Sequence, residues 1–85
     1  MESASHTPAS LRARLGLTQA QLAQLASETS GTAVSVSTVG RLEKGRSISL
    51  DHVRAIAAAL KVEPQLLIDA IDAERARRAG AGSAA

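Results

Sequence analysis

The stretch Leu17–Gly45, LTQAQLAQLASETSGTAVSVSTVGRLEKG, constrains the fold more than any other part of the chain. Thr18 followed by Gln21 has the spacing of a capping box, in which each side chain takes the other residue's backbone N–H. Leu22, Leu25 and Ala26 then fall on one face of the helix that this box opens. Ser35 is placed to cap a second helix whose Val39 and Leu42 point inward, and Gly45 suits a left-handed stop. Two short capped helices joined by a turn gain little stability alone, so each apolar stripe needs further helices to pack against.

The flanks supply those helices. Thr7 and Pro8 form a cap and a first-turn proline, Leu11 and Leu15 share a face, and Gly16 ends the segment. Ser47 or Ser49 caps a fourth helix; Ser49 is better placed, with Asp51 in the first turn favouring the dipole. Val53, Ile56, Ala57 and Leu60 make an i, i+3, i+4, i+7 stripe. Pro64 opens a fifth helix with Leu67, Ile68 and Ile71 on its inner face. In it Asp69, Asp72 and Glu74 precede Arg75, Arg77 and Arg78, an order that suits the macrodipole of a helix ending near residue 79. The alternation Val34-Ser35-Val36-Ser37 is too short for a strand and sits at a cap. The reading is an all-α bundle of five helices over residues 7–79, between disordered tails at 1–6 and 80–85.

Composition removes several functions. Without cysteine there is no disulfide or thiol site, and without aromatics there is no platform for stacking unpaired bases. The 85-residue chain must build its core from Leu, Ile, Val and Ala, and a dimer interface would add stability. It has no membrane-length apolar run, and MESASHTPAS lacks the features of a signal peptide, so a cytoplasmic location is expected. His6 and His52 have no second ligand at useful spacing, so no metal is expected. Asp69, Asp72 and Glu74 share one helix without a base partner and read as a solvated face, so neither catalysis nor a cofactor is expected. Charge is unevenly spread. Arg12, Arg14, Arg41, Lys44 and Arg46 outnumber the acids of residues 1–46, whereas Asp51, Glu63, Asp69, Asp72 and Glu74 make 47–74 acidic. A basic half with an acidic back orients a protein on a polyanion, although mixed solvated charge gives the same counts.

The ordered series Thr18-Gln19, Leu22-Ala23, STVGRLEKG and AAALKVEPQLL resembles the helix-turn-helix superfamily of the phage lambda repressor and Cro, also called the xenobiotic-response-element family. The resemblance runs from about Leu11 to Leu67. It implies a compact five-helix DNA-binding domain that commonly works as a dimer on a near-palindromic operator, with the third helix in the major groove. By position on that helix, Val36, Ser37 and Arg41 are the expected base readers. Arg41 can donate bidentately to guanine, Ser37 is an adaptable partner and Val36 suits a thymine methyl. Gln19, at a helix N-terminus, and Lys44 and Arg46, around Gly45, are the expected phosphate contacts. Thr38 either reaches a phosphate or buttresses the turn. Gly40 either allows close approach to DNA or occupies a permissive surface position. Arg14 is read as solvated, and Ala23 as packing only. The resemblance also implies a partly buried salt bridge between Arg12 and Glu43 that sets the angle of the third helix.

The chain departs from this pattern between Ala26 and Ser35, where SETSGTA stands for a lone glycine. Either the second helix runs on to Ser30 and stops at Gly31, roughly 9 Å longer at 1.5 Å per residue, or the extra residues form a loop. Gly31 favours the longer helix, and Thr29 and Ser30 weigh mildly against it. The expected function is a sequence-specific double-stranded DNA-binding transcriptional regulator, a repressor acting as a homodimer. The alternative is a protein-interaction module, such as an antitoxin that binds a partner protein and its own operator. Leu66 and Ile71 on the fifth helix are the expected dimer contacts.

Overall fold

Four side-chain caps set the helix starts. In the computed structural model, which describes residues 6–83 except for the side chains of 81–83, the Thr7 hydroxyl accepts from the Ser10 N–H at 3.0 Å and opens α1, Pro8–Arg14. Thr18 and Gln21 complete the expected capping box at the start of α2, Gln19–Ser30. Ser35 caps α3, Val36–Glu43, and Ser49 caps α4, Leu50–Leu60. α5 runs from Pro64 to Ser83. Each cap satisfies an N–H that the helix itself leaves without a partner.

α2 takes the longer course. It continues through Ser30 and stops at Gly31, whose φ of 76° lies in the left-handed region that glycine adopts without a Cβ penalty. Ser30, which weighs against a longer helix, helps to hold it, and so does Ser27. Ser27 Oγ donates to the Ala23 carbonyl and accepts the Val34 N–H, both at 2.8 Å. Ser30 Oγ donates to the Ala26 carbonyl at 2.7 Å and accepts the Thr32 N–H at 3.0 Å. Such back-bonding usually competes with the helix; here it also satisfies turn N–H groups. His52 on α4 adds a third tie, donating from Nε2 to the Ala33 carbonyl at 3.1 Å, which requires a proton on that nitrogen.

The core is aliphatic. Leu11 from α1, Leu22, Ala23 and Ala26 from α2, Val39 and Leu42 from α3, and Val53, Ile56, Ala57 and Leu60 from α4 are buried together with Leu67, Ala70 and Ile71 of α5. Small residues let helices approach closely, and α2 makes its most extensive contact with α4, where Ala55, Ala57 and Ala59 are buried. Val34 is buried just ahead of the α3 cap, so the enlarged turn still delivers an apolar anchor to the start of that helix.

α5 differs from expectation in three respects. It passes residue 79, so the segment 80–83 is helical and the arginines stand mid-helix; residues 84–85 lie outside the described residues. The arginines therefore serve local ion pairs rather than the helix end. Arg77 and Arg78 bond Glu74 at 2.6 and 2.5 Å, and Arg75 lies 3.5 Å from Asp72. Glu74 is not on a solvated face: it is 2% exposed on the same stripe as the buried Leu67, Ala70 and Ile71, whereas Asp69 and Asp72 are exposed. Ile71, expected both on the inner face and at a dimer contact, belongs to the core at 5% exposure, while Leu66 is exposed. Of the expected N-terminal tail, residues 1–5 lie outside the described residues and His6 is exposed coil.

Candidate nucleic-acid interface

α3 is anchored from below and open above. Val39 and Leu42 are buried on its inner side, and Thr38 joins them at 8% exposure. The Thr38 hydroxyl is 3.0 Å from Ser35 Oγ, which also accepts the Thr38 N–H at 3.1 Å. The Thr38 hydroxyl thus bonds the cap, and its side chain is turned from solvent. Val36, Ser37 and Arg41 occupy the outer side and are exposed.

These outer residues border an open depression. Gln19 at the start of α2, Val36, Ser37, Gly40 and Arg41 on α3, and Lys44 and Arg46 in the loop beyond it line the same concave surface. All six residues expected to touch DNA, other than Thr38, are thus brought to one face. Gly40 stands in their midst, and a Cβ built on it meets nothing within 4 Å, so nothing inside the chain demands glycine there. Arg14 is exposed and does not line the depression.

The electrostatics of this face depend on where the acid of α3 goes. Glu43 is turned inward, its side chain 8% exposed, and Arg12 Nε and Nη2 donate to it at 2.5 and 3.1 Å. Arg12 Nη1 donates at 2.8 Å to the Leu17 carbonyl, so one guanidinium joins α1, the α1–α2 connection and α3. The hydrogen bond to Glu43 holds the Arg12 guanidinium above its ordinary pKa, against the opposite effect of burial. Gln19 Nε2 donates at 2.9 Å to Glu43 Oε1, the same oxygen that accepts from Arg12 Nη2. Gln19 therefore borders the depression with its amide orientation fixed from beneath. With Glu43 neutralised in this way, Arg41, Lys44 and Arg46 face solvent without an acidic residue on their own surface.

The loop holding Lys44 and Arg46 is also fixed. The Lys44, Gly45 and Arg46 N–H groups donate to carbonyls in the last turns of α3, and Gly45 adopts a φ of 76°. Arg75 of α5 donates from Nε to the Gly45 carbonyl at 2.8 Å. Nothing in the sequence announced this contact, because residues 30 apart on elements with different periodicities carry no shared pattern. The Ser27 and His52 ties to the turn were equally silent. Their only sequence trace is that a serine and a histidine are both able to serve an unpaired backbone group.

No curated protein and no solved structure matches the chain. A family model described as helix-turn-helix matches residues 9–67, more than half of the sequence, from the second residue of α1 through α4 into the first turn of α5. With five helices, no strand among the described residues, and a capped third helix presented on an open basic face, the chain belongs to the helix-turn-helix family of the lambda repressor and Cro.

Proposed function

We propose that this protein is a sequence-specific double-stranded DNA-binding transcriptional regulator that acts as a repressor. The observation that carries the reading is the convergence of Gln19, Val36, Ser37, Gly40, Arg41, Lys44 and Arg46 on one open surface built around an exposed helix. Arg41 is the principal base reader, since its fork matches the O6 and N7 acceptors of guanine; Ser37 and Val36 complete the reading edge. Lys44 and Arg46 contact backbone phosphates, and Gln19 contributes an amide at a helix N-terminus. Thr38 has no direct part.

The reading extends to assembly. A homodimer places two such helices in successive major grooves on one side of the duplex, about one helical turn apart on an inverted repeat. Occupying a promoter in that way blocks transcription. Among the described residues, no helix is long and apolar enough to cross a bilayer.

Selection of bound duplexes from a random pool, followed by titration of the selected site against salt, tests the proposal. The expected result is an enriched inverted repeat whose affinity falls steeply with ionic strength. Enrichment of no sequence, or binding indifferent to salt, overturns it. Sedimentation with and without the selected site tests the dimer, and a single monomeric species in both conditions removes that part.

A further inference from the structure

The loop that leaves α3 is suspended between two supports. On one side are backbone bonds to α3: the Arg46 N–H donates to Arg41 and the Gly45 N–H to Leu42, each at 3.0 Å. On the other is a single side chain. Arg75 donates from Nε to the Gly45 carbonyl at 2.8 Å and from Nη2 to Ser47 Oγ at 3.3 Å, and its Nη1 lies 3.5 Å from Asp72. The two loop acceptors flank Arg46. The approach is close at backbone level too, since a Cβ built on Gly45 would lie 2.7 Å from the Arg75 nitrogen and 2.9 Å from its Cα.

We propose that Arg75 is a positioning residue for DNA binding: it holds the loop 44–47 so that Lys44 and Arg46 face the phosphates, and does not itself touch DNA. The proposal rests on the DNA-binding reading above. Two features support the indirect role. Arg75 does not line the depression over α3; it lines a separate groove between the loop, α4 and α5, with Ser47, Ile48 and Ile68. Arg46 lines both, so the loop forms the ridge between them and Arg75 grips that ridge from the far side. The guanidinium also spends its Nε and both terminal nitrogens on Gly45, Ser47 and Asp72, a use of its rigid fork that an ammonium could not reproduce.

The test has one arm without DNA and one with it. In Arg75→Gln, amide hydrogen exchange at Gly45 and Arg46 is expected to rise by about tenfold while Ile56 in the core keeps its protection. In duplex titrations the same variant is expected to lose about tenfold in affinity for all sequences alike, with a shallower salt slope. Introduced into Lys44→Ala/Arg46→Ala, Arg75→Gln is expected to change affinity by less than about twofold, because residues acting through one unit are not additive. Ser47→Ala removes one acceptor without disturbing α5 and is expected to shift exchange the same way by a smaller factor. Unchanged exchange in Arg75→Gln, or a full additive loss in the double-variant background, overturns the positioning role. Salt-indifferent binding by the unaltered chain overturns the DNA reading and this role with it, while the exchange arm still reports whether Arg75 holds the loop.

Discussion

The Glu43 carboxylate lies against the Arg12 guanidinium, 2.5 Å from Nε and 3.1 Å from Nη2, and so fastens the last turn of α3 to α1. The same carboxylate accepts from Gln19 on α2. One acidic side chain therefore fixes three helices relative to each other and removes its own charge from the surface that the cations of α3 occupy. The orientation of the exposed helix and the sign of its surface have a common origin.

Removing either partner leaves the other half-buried and uncompensated. Arg12→Ala and Glu43→Ala are each expected to destabilise the fold by about 2 kcal/mol in urea titrations, a reduced figure for a pair that is partly solvated. The double variant should lose less than the two single losses combined, with a coupling of about 1 kcal/mol. Additive losses would show that the pair contributes nothing beyond its separate contacts.

Arg41 and Lys44 lie on one surface but differ in what they can distinguish. Arg41→Ala is expected to lower affinity for the selected site by about 1–3 kcal/mol and to relax preference at one base position, with little change on unrelated duplexes. Lys44→Ala is expected to weaken all duplexes similarly and to reduce the salt slope by about one. Competition titrations at several salt concentrations separate the two outcomes. An equal loss on every sequence from both variants would move Arg41 to the phosphate set.

Gly40 has room for a methyl group within the free protein. Gly40→Ala should therefore raise stability by about 1 kcal/mol, since alanine is the better residue in a helix interior. If α3 lies against DNA at this position, the same variant loses duplex affinity although it is more stable. Thermal melting and DNA titration on one preparation test both halves. Undiminished binding would make Gly40 a permissive position only.

The helices and caps were legible because each rests on neighbours in sequence: Thr18 with Gln21, Ser35 with Val36 onward, and the stripe from Val53 to Leu60. Gly31 likewise marked the end of α2. The exposed residues of α3 followed from helical spacing combined with the family pattern. What escaped was long-range or dependent on exclusion of water. Arg75 reaches across 30 residues, and Glu74, seven residues after Leu67, continues the buried stripe of Leu67, Ala70 and Ile71, a place that its charge and its run of neighbouring charges concealed. Ile71 keeps the inner-face place that its spacing with Leu67 predicts and leaves the expected dimer contact, because the core that five helices share is larger than the one an isolated stripe needs.

Glu74 gives the fold an acid-side weakness. Hydrogen bonding from Arg77, with Arg78 adding to it, holds the carboxyl below the usual carboxylate range despite the opposing effect of burial. A folded pKa below the unfolded one means that the stabilisation is fully present above the unfolded value. It is then lost as pH falls through the folded value. Stability measured by urea titration should therefore decline from about pH 5 downward, and Glu74→Gln should flatten that decline while lowering stability at neutral pH. An identical acid limb in the variant would assign the decline to other carboxylates.

Ser27 is the remaining determinant of how α3 is presented, because its hydroxyl both closes the end of α2 and receives the Val34 N–H just before the α3 cap. Alanine in its place keeps the helix and improves its local propensity, yet leaves a partly buried N–H without its acceptor. The balance should be a net loss of about 1–2 kcal/mol, located in the turn rather than in the core. Amide exchange would show this as faster exchange at Val34 with little change at Ile56. Duplex affinity should fall as well, since Val34 is the buried anchor from which α3 departs. A Ser27→Ala variant with unchanged exchange at Val34 would mean that Thr32, His52 and the Gly31 stop hold the enlarged turn without it.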